Sequence, residues 1–258
     1  MKKSVMDLIV VENVSLNSSY FLLKLTAQQQ LPEMLPGQFV EVKVEGSPNT
    51  FLRRPISINN FLPEKNELWL LIQKIGDGTR QLSTLKSGEI LNLVFPLGNS
   101  FTQPKSGSKS TLLVGGGVGT APMLFWGKIL KEKGIVPNFL LGARSASDLL
   151  QLEEFSQYGN LYTTTEDGSH GEKGFVTHHS ILKQQKFDII YTCGPKPMMM
   201  AVAQYAKSNG IECEVSLENT MACGFGVCLC CVENTVNGHV CVCTEGPVFN
   251  INDLKWQI

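Results

Sequence analysis

The chain changes its grammar once, and that change limits what it can fold into. Up to about residue 100, short runs rich in Val, Ile, Leu and Phe follow one another: DLIVVENV, YFLLKLT, GQFVEVKV, ISINN, ELWLLIQKI and GEILNLVF. Gly, Pro, Asn and Ser stand between them, and no helical period intervenes. Six strands at this spacing hide their edges best by closing on themselves, which predicts a small antiparallel barrel. From Thr111 strands alternate with helices instead. TLLVGGG, VPNFLLGA, LYTTTE and DIIYTCG read as buried strands, while APMLFWGKILKEKG, SASDLLQLEEFSQYG, FVTHHSILKQQ and KPMMMAVAQYAKSNG read as helical. That alternation predicts an α/β unit around a mostly parallel sheet, so the fold class is β plus α/β. The polar stretch TQPKSGSKS, residues 102–110, is the natural linker. After IECEVSLE the chain is too short and too rich in glycine for a further core of its own.

Composition excludes several partners. The 258 residues are 43% hydrophobic and 17% charged, an ordinary globular balance, and the net charge of -1 gives no electrostatic reason to expect nucleic acid or an anionic membrane. No uncharged apolar run reaches the roughly 18 residues that a spanning helix needs. The start, MKKSVMDLIVVENV, meets Asp7 and Glu12 too soon for the apolar core of a signal peptide, so a cytoplasmic location is expected.

Two strand ends carry nucleotide chemistry. LLVGGGVGTAP places Gly115, Gly116, Gly117 and Gly119 where a strand passes into a helix. A pyrophosphate has to approach such a backbone closely and bind its N–H groups and the positive helix end. Thr120 stands where a G-x-G-x-x-G pattern has its third glycine, and the plain alternative is a structural tight turn. YTCGPKPMM puts Cys193 and Gly194 at a second strand end, beside the first in an open parallel sheet; alone, Cys193 reads equally as a small buried hydrophobe. In the barrel half, FLRRPISI carries Arg53 and Arg54, either a solvated edge or a diphosphate clamp. IGDGTR offers a glycine turn with backbone donors.

Six of the eight cysteines lie between Cys223 and Cys243. A chain of this size needs no disulfide staples, and without an export signal such a cluster points to metal. Cys223, Cys228 and Cys231 form C-x4-C-x2-C, the spacing of plant-type [2Fe–2S] ligation, which needs one distant fourth thiolate from Cys241 or Cys243. Zinc prefers two C-x2–4-C pairs, and CVC, with a single intervening residue, makes a poor second pair. Cys230 is surplus. The four histidines show no ligand spacing with these cysteines, and Met198 to Met200 read as core packing.

With these motifs in the order RRPISI, GDGT, LLVGGGVGTAPM, CGPKPMM, SLE, MACGFGVC and EGPVF, the chain resembles over its whole length the electron-transfer subunits of bacterial class 1B dihydroorotate dehydrogenases, within the ferredoxin–NADP reductase superfamily. The resemblance implies an FAD-binding barrel at 1–103, an NAD-binding α/β domain at 109–215 and a [2Fe–2S] segment at 216–258. Carried over by position, Arg54, Pro55, Ile56 and Ser57 hold the flavin, with Arg54 on its diphosphate. Leu71, Ile72 and Gln73 line the isoalloxazine and ribose, and Gly78 and Thr79 bind phosphate. Gly115 to Gly119, with Cys193 and Gly194, receive NAD as substrate, and no side chain acts as an acid or base. Cys223, Cys228, Cys231 and Cys243 ligate the cluster. The family relay runs from an FMN-containing catalytic subunit, through cluster and FAD, to NAD+, in an α2β2 assembly, with the surface around 223–231 as the interface. Two features depart from the family pattern: Cys230 stands where glycine is usual, and only eleven residues separate Cys231 from Cys243. The related small subunits of NAD(P)H–ferredoxin oxidoreductases and sulfhydrogenase-like complexes are the nearest rivals, although an aspartate is expected at position 223 in the transhydrogenase-type relatives. A zinc-binding scaffold with a degenerate reductase fold is the rival outside redox chemistry.

Overall fold

A computed structural model describes residues 3–105 and 110–258; the stretch 106–109 of the expected linker, and with it the expected start of the second domain, lies outside the described residues. β1 (Ser4–Ser15), β2 (Tyr20–Thr26), β3 (Phe39–Val42), β4 (Arg54–Leu62), β5 (Glu67–Gln73) and β6 (Ile90–Leu97) close into an antiparallel barrel in the order β1-β2-β5-β4-β3-β6. These are the six strands read from the sequence. Alternation packs the barrel: Met6, Leu8 and Val10 of β1 are buried, while Asp7 between them and Val5 and Val11 on either side are exposed. The short helix α1 (Asp77–Leu82) follows β5.

The second half is a seven-stranded sheet. β7 (Thr111–Gly116), β8 (Asn138–Ala143), β9 (Asn160–Thr165), β10 (Glu172–Lys173), β11 (Ile189–Cys193) and β12 (Glu212–Ser216) are parallel, in the order β10-β9-β8-β7-β11-β12. The strand order reverses between β7 and β11, the point at which open α/β sheets form their ligand crevice. α2 (Thr120–Glu132), α3 (Leu152–Tyr158), α4 (Ile181–Gln184) and α5 (Lys196–Ser208) connect the strands. Trp126 of α2 stacks on Phe101 at 6.0 Å and meets the edge of Tyr191 at 5.4 Å, and these rings lie in the sheet's apolar core.

Two helices are shorter than the sequence predicts. SASDLLQLEEFSQYG gives a single 3-10 turn, Ala146–Asp148, and then α3, with Gln151 at φ 55 between them. FVTHHSILKQQ gives a 3-10 turn, Val176–His178, and one turn of α4. The backbone N–H of Ser180 donates to Glu172 Oε2 at 2.8 Å, and its hydroxyl to Glu172 Oε1, which holds the segment away from a continuous helix.

The C-terminal region holds β13 (Val232–Thr235) and β14 (Gly238–Cys241), paired as a hairpin, then α6 (Val242–Glu245) and β15 (Val248–Asn250). β15 adds antiparallel to β12, with Val215 opposite Phe249. The chain divides into two compact units. One comprises 1–100 with 219–233 and 240–247, so the cysteine loop belongs with the barrel. The other comprises 101–218, 234–239 and 248–258.

Candidate functional site

In the sheet unit, the two strand ends singled out from the sequence meet. Cys193 lies opposite Gly115 in the β11–β7 register. A Cβ at Gly119 would lie 2.4 Å from Gly194 Cα and 2.5 Å from the Cys193 carbonyl carbon, so the two loops touch backbone to backbone and only glycine fits at 119. Gly117 has φ 56, turning the chain into α2, whose thirteen residues direct a positive end at this crevice. Cys193 is fully buried. Burial, followed by the neighbouring Glu218, holds its thiol well above the ordinary range, and the thiol donates to Glu218 Oε1 at 3.8 Å. At neutral pH Cys193 is therefore a neutral, shape-filling group rather than a nucleophile.

The barrel separates its two arginines. Arg53 is committed to the fold: its guanidinium donates to the carbonyls of Glu41 (3.3 Å) and Asn92 (3.1 Å) and to Asn92 Oδ1 (2.5 Å). Asn92 in turn donates to Asp7. Arg54 makes one weak bond, to the Arg53 carbonyl at 3.4 Å, and its other donors have no partner among the described residues. Its Nε lies 3.2 Å, and Thr50 Oγ1 3.3 Å, from where a Cβ on Gly78 would stand, forming a polar cradle that a side chain would fill. Arg54, Pro55, Ile56 and Ser57 are all half-buried although they are consecutive in β4, so both faces of the strand keep an open edge here. Leu71 and Ile72 are buried in the barrel core, and Gln73 is half-buried at the end of β5. The Thr79 hydroxyl is engaged in its own turn: it accepts from the N–H groups of Ile75 and Gly76 and donates to the Gly76 carbonyl. What Gly78 and Thr79 offer an anion is backbone.

The cysteine loop is built from left-handed turns, at Gly224 (φ 72), Gly226 (φ 77) and Leu229 (φ 57). These turns aim N–H groups at sulfur. Phe225 N–H donates to Cys223 Sγ (3.3 Å), Gly226 N–H to Cys243 Sγ (3.1 Å) and Cys243 N–H to Cys231 Sγ (3.4 Å). The Phe225 N–H, joined by bonds from Cys228 and Val227, pulls the Cys223 thiol down to about 6, whereas burial and Cys231 push Cys243 up to about 12. Among the described residues no three of His, Cys, Asp and Glu gather to hold a single metal ion. Two neighbourhoods of sulfur result: Cys223 lies by Cys228, and Cys231 lies by both Cys241 and Cys243. A two-iron cluster divides four thiolates between two irons, and backbone donors to sulfur stabilise it, so this donor set fits [2Fe–2S].

β14 ends at Cys241, and Cys243 lies in the helical turn α6. The hairpin returns the chain so that Val242 N–H donates to the Cys231 carbonyl at 3.1 Å, which brings Cys243 beside Cys231. Cys241 also neighbours Cys231, but its thiol donates to the Gly226 carbonyl at 3.7 Å. Cys230 is exposed.

Nothing along the chain marks three further residues that lie against these sites. Met198 Sδ lies 2.5 Å from where a Cβ on Gly116 would stand, so it walls the glycine loop. Thr50 lines the Arg54 cradle. Glu41 lies under the cysteine loop: a Cβ on Gly224 would be 3.1 Å from its Cγ. Helical periodicity assigns Met198 to packing, and nothing local marks a residue in β3 as facing a loop 180 residues away.

Known proteins align with this geometry. Residues 5–101 match the family model of an oxidoreductase FAD-binding domain, 113–204 an oxidoreductase NAD-binding domain, and 218–255 the iron–sulfur cluster binding domain of dihydroorotate dehydrogenase B. The chain therefore carries binding domains for FAD, NAD and an iron–sulfur cluster. A solved structure of an NADH-dependent reduced ferredoxin–NADP oxidoreductase, studied for flavin-based electron bifurcation, superposes with a TM-score of 0.85 at 31% identity, over 96% of this chain and 90% of that one. The ferredoxin reductase of a carbazole 1,9a-dioxygenase shares the fold, with a TM-score of 0.69 at 23% identity over 82% of this chain and 67% of that one. The dihydroorotate dehydrogenase B (NAD+) electron transfer subunit of Shouchella clausii is 39% identical over 85% of this chain and 86% of its own length. That of Bacillus cereus strain Q1 is 38% identical over 98% and 99%. On identity at this level across nearly the full length, the chain belongs to the family of dihydroorotate dehydrogenase B electron transfer subunits.

Proposed function

We propose that this chain is the electron outlet of a dihydroorotate dehydrogenase, passing electrons from a catalytic subunit through a [2Fe–2S] cluster and FAD to NAD+. The carrying observation is the cysteine loop, with backbone N–H groups aimed at the sulfurs of Cys223, Cys231 and Cys243, folded into the same compact unit as the barrel with its Arg54 cradle. Bound flavin and cluster supply the redox chemistry, the flavin exchanging single electrons on one side and a hydride on the other. The protein's share is to hold and tune them. Arg54 to Ser57 and the backbone at Gly78 and Thr79 hold the flavin and its diphosphate, with Leu71 to Gln73 alongside. Gly115 to Gly119, with Cys193 and Gly194, receive NAD+. Cys223, Cys228, Cys231 and Cys243 hold the cluster, and the N–H groups of Phe225, Gly226 and Cys243 set its electron density.

The partner reading is an FMN-containing catalytic subunit in an α2β2 assembly in the cytoplasm. Its support is the apolar collar of the cysteine loop, where Phe225 is 44%, Val227 80% and Leu229 64% exposed. Among the described residues no helix is long and apolar enough to cross a membrane. A second reading, a small subunit of a ferredoxin-linked oxidoreductase, draws on the 0.85 TM-score to that class; Cys223 in place of the expected aspartate favours the first.

The test is recovery of the tagged chain with its partner, identified by mass, followed by an assay of dihydroorotate-dependent NAD+ reduction. A bound FMN protein and orotate formation are the expected outcome. A large iron–sulfur flavoprotein and no orotate would transfer the chain to the second reading. Orotate made by the purified single chain would refute its role as a relay.

A further inference from the structure

Glu41 is a buried carboxylate that neither the fold nor the proposed sites employ. It is 1% exposed, and neither carboxylate oxygen has a hydrogen-bond partner. Two cations act on it, Arg53 and Arg54, and neither hydrogen-bonds the carboxylate: Arg53 uses its donors on the Glu41 backbone carbonyl and on Asn92, and Arg54 on the Arg53 carbonyl. An unpartnered acid in such a place costs stability, and a leucine would pack there without that cost. Its position is specific in two directions. Across the β3–β4 ladder Glu41 stands opposite Pro55, with Val42 opposite Arg54 and Phe39 opposite Ser57. Residues directly opposite in a ladder point to the same face, so Glu41 shares a face with Pro55 of the flavin strand. On the other side Gly224, the residue after Cys223, lies over it, with a Cβ there 3.1 Å from Glu41 Cγ and 3.5 Å from Oε1.

We propose that Glu41 sets the potential of the cluster relative to the flavin: its carboxylate, wedged between the cysteine loop and the flavin strand, disfavours the extra negative charge of the reduced cluster. A lower cluster potential makes the reduced cluster a better donor to FAD. This rests on the [2Fe–2S] reading of the four cysteines. The effect is electrostatic and works through a dry, low-dielectric gap, where one charge outweighs the same charge in water. Glu41 touches no reacting atom and is a positioning residue.

The test is an EPR-monitored redox titration of the holoprotein at pH 8.5, comparing wild type, Glu41→Gln and Glu41→Asp. Removing the charge with Glu41→Gln is expected to raise the reduced-to-oxidised ratio of the cluster about tenfold at fixed ambient potential, an upward shift of 59 mV for a one-electron couple. Glu41→Asp, which keeps the charge, is expected to stay near wild type. Glu41→Leu, read by thermal unfolding, is expected to fold at least as stably as wild type. A wild-type cluster signal with an unmoved Glu41→Gln overturns the role of Glu41 alone. A wild type with no [2Fe–2S] signal overturns the cluster reading and this role with it. If Glu41→Gln holds no cluster and Glu41→Leu is destabilised, Glu41 is structural and the proposal is lost.

Discussion

The glycine loop at 115–119 and the cysteine loop at 221–232 both carry left-handed glycines, Gly117 in the first, yet Gly119 and Gly224 are needed for opposite reasons. In the first, the obstacle is another chain segment. Gly119 has an ordinary helical φ of -65, yet a Cβ there would collide with the backbone of Gly194. In the second, the obstacle is the residue's own backbone. Gly224 and Gly226 sit at φ 72 and 77, where a side chain is strained whatever the space around it. The glycine loop is an interior junction that fixes two strand ends against each other. The cysteine loop is an outward-facing coil that turns N–H groups towards sulfur and leaves Phe225, Val227 and Leu229 at the surface. Rigid approach suits a ligand that slides in and out, whereas a coil with exposed apolar residues suits a protein partner.

The contrast is tested most severely within the cysteine loop itself. Cys231→Ser is expected to abolish cluster assembly and all partner-linked electron transfer, while Cys230→Ser keeps full iron content. Iron analysis and EPR of both variants separate the two sulfurs, and equal loss of iron would overturn the ligand set. Next in size is Phe225→Glu, expected to lower partner-linked turnover by about 100-fold, nearly 3 kcal/mol. Reduction of a small dye by NADH should be spared; loss of both activities together would place Phe225 inside the redox machinery instead.

Between the two loops, Gly119→Ala is expected to cost about 2–3 kcal/mol of stability and to weaken NADH binding, because a rigid backbone has to move. Gly224→Ala is expected to cost about 1–2 kcal/mol through its φ. Thermal unfolding and NADH titration of both would show whether collision outweighs strain, and a milder Gly119 variant would reverse that ranking. In the barrel, Arg54→Ala is expected to weaken FAD retention by about tenfold or more with little change in the stability of the apoprotein. Arg53→Ala should instead destabilise the apoprotein by about 1–3 kcal/mol.

The smallest effect is a pH dependence. Burial raises the Glu41 carboxyl to about 7, with Arg53 opposing and Cys223 adding to the shift. Because the folded value lies above the unfolded one, the stabilisation is full below the ordinary carboxylate range and is lost as pH rises through about 7. Stability of wild type relative to Glu41→Gln should therefore fall between about pH 4.5 and 7, measured by denaturant unfolding at several pH values. A difference flat across that window would mean that the carboxyl is solvated.

Much of this was legible in the residues. The strand runs of the first hundred residues and the later strand–helix alternation fixed the two architectures, since local periodicity decides which face of an element is apolar. The glycine loop, the Arg-Arg-Pro strand and the C-x4-C-x2-C spacing marked the candidate site because their chemistry requires particular residue types at short range. Other features rest on partners far away in sequence. Arg53 and Arg54 look alike in the sequence, and only the approach of Asn92 and the Glu41 carbonyl commits one to the fold and leaves the other free. Helicity in 175–185 yields to Glu172, which takes Ser180 as its partner. Cys243 is placed by a hairpin and a helical turn rather than by strand alternation, and the carboxyl-terminal strand Val248–Asn250 pairs with β12. Glu41 is an ordinary charged residue in its strand until the cysteine loop folds over it. Sequence alone determined the elements and the kinds of chemistry, because these follow from neighbours along the chain. Tertiary structure decided which of two similar groups is spent on the fold and which is left for function, because burial and hydrogen bonding depend on neighbours in space.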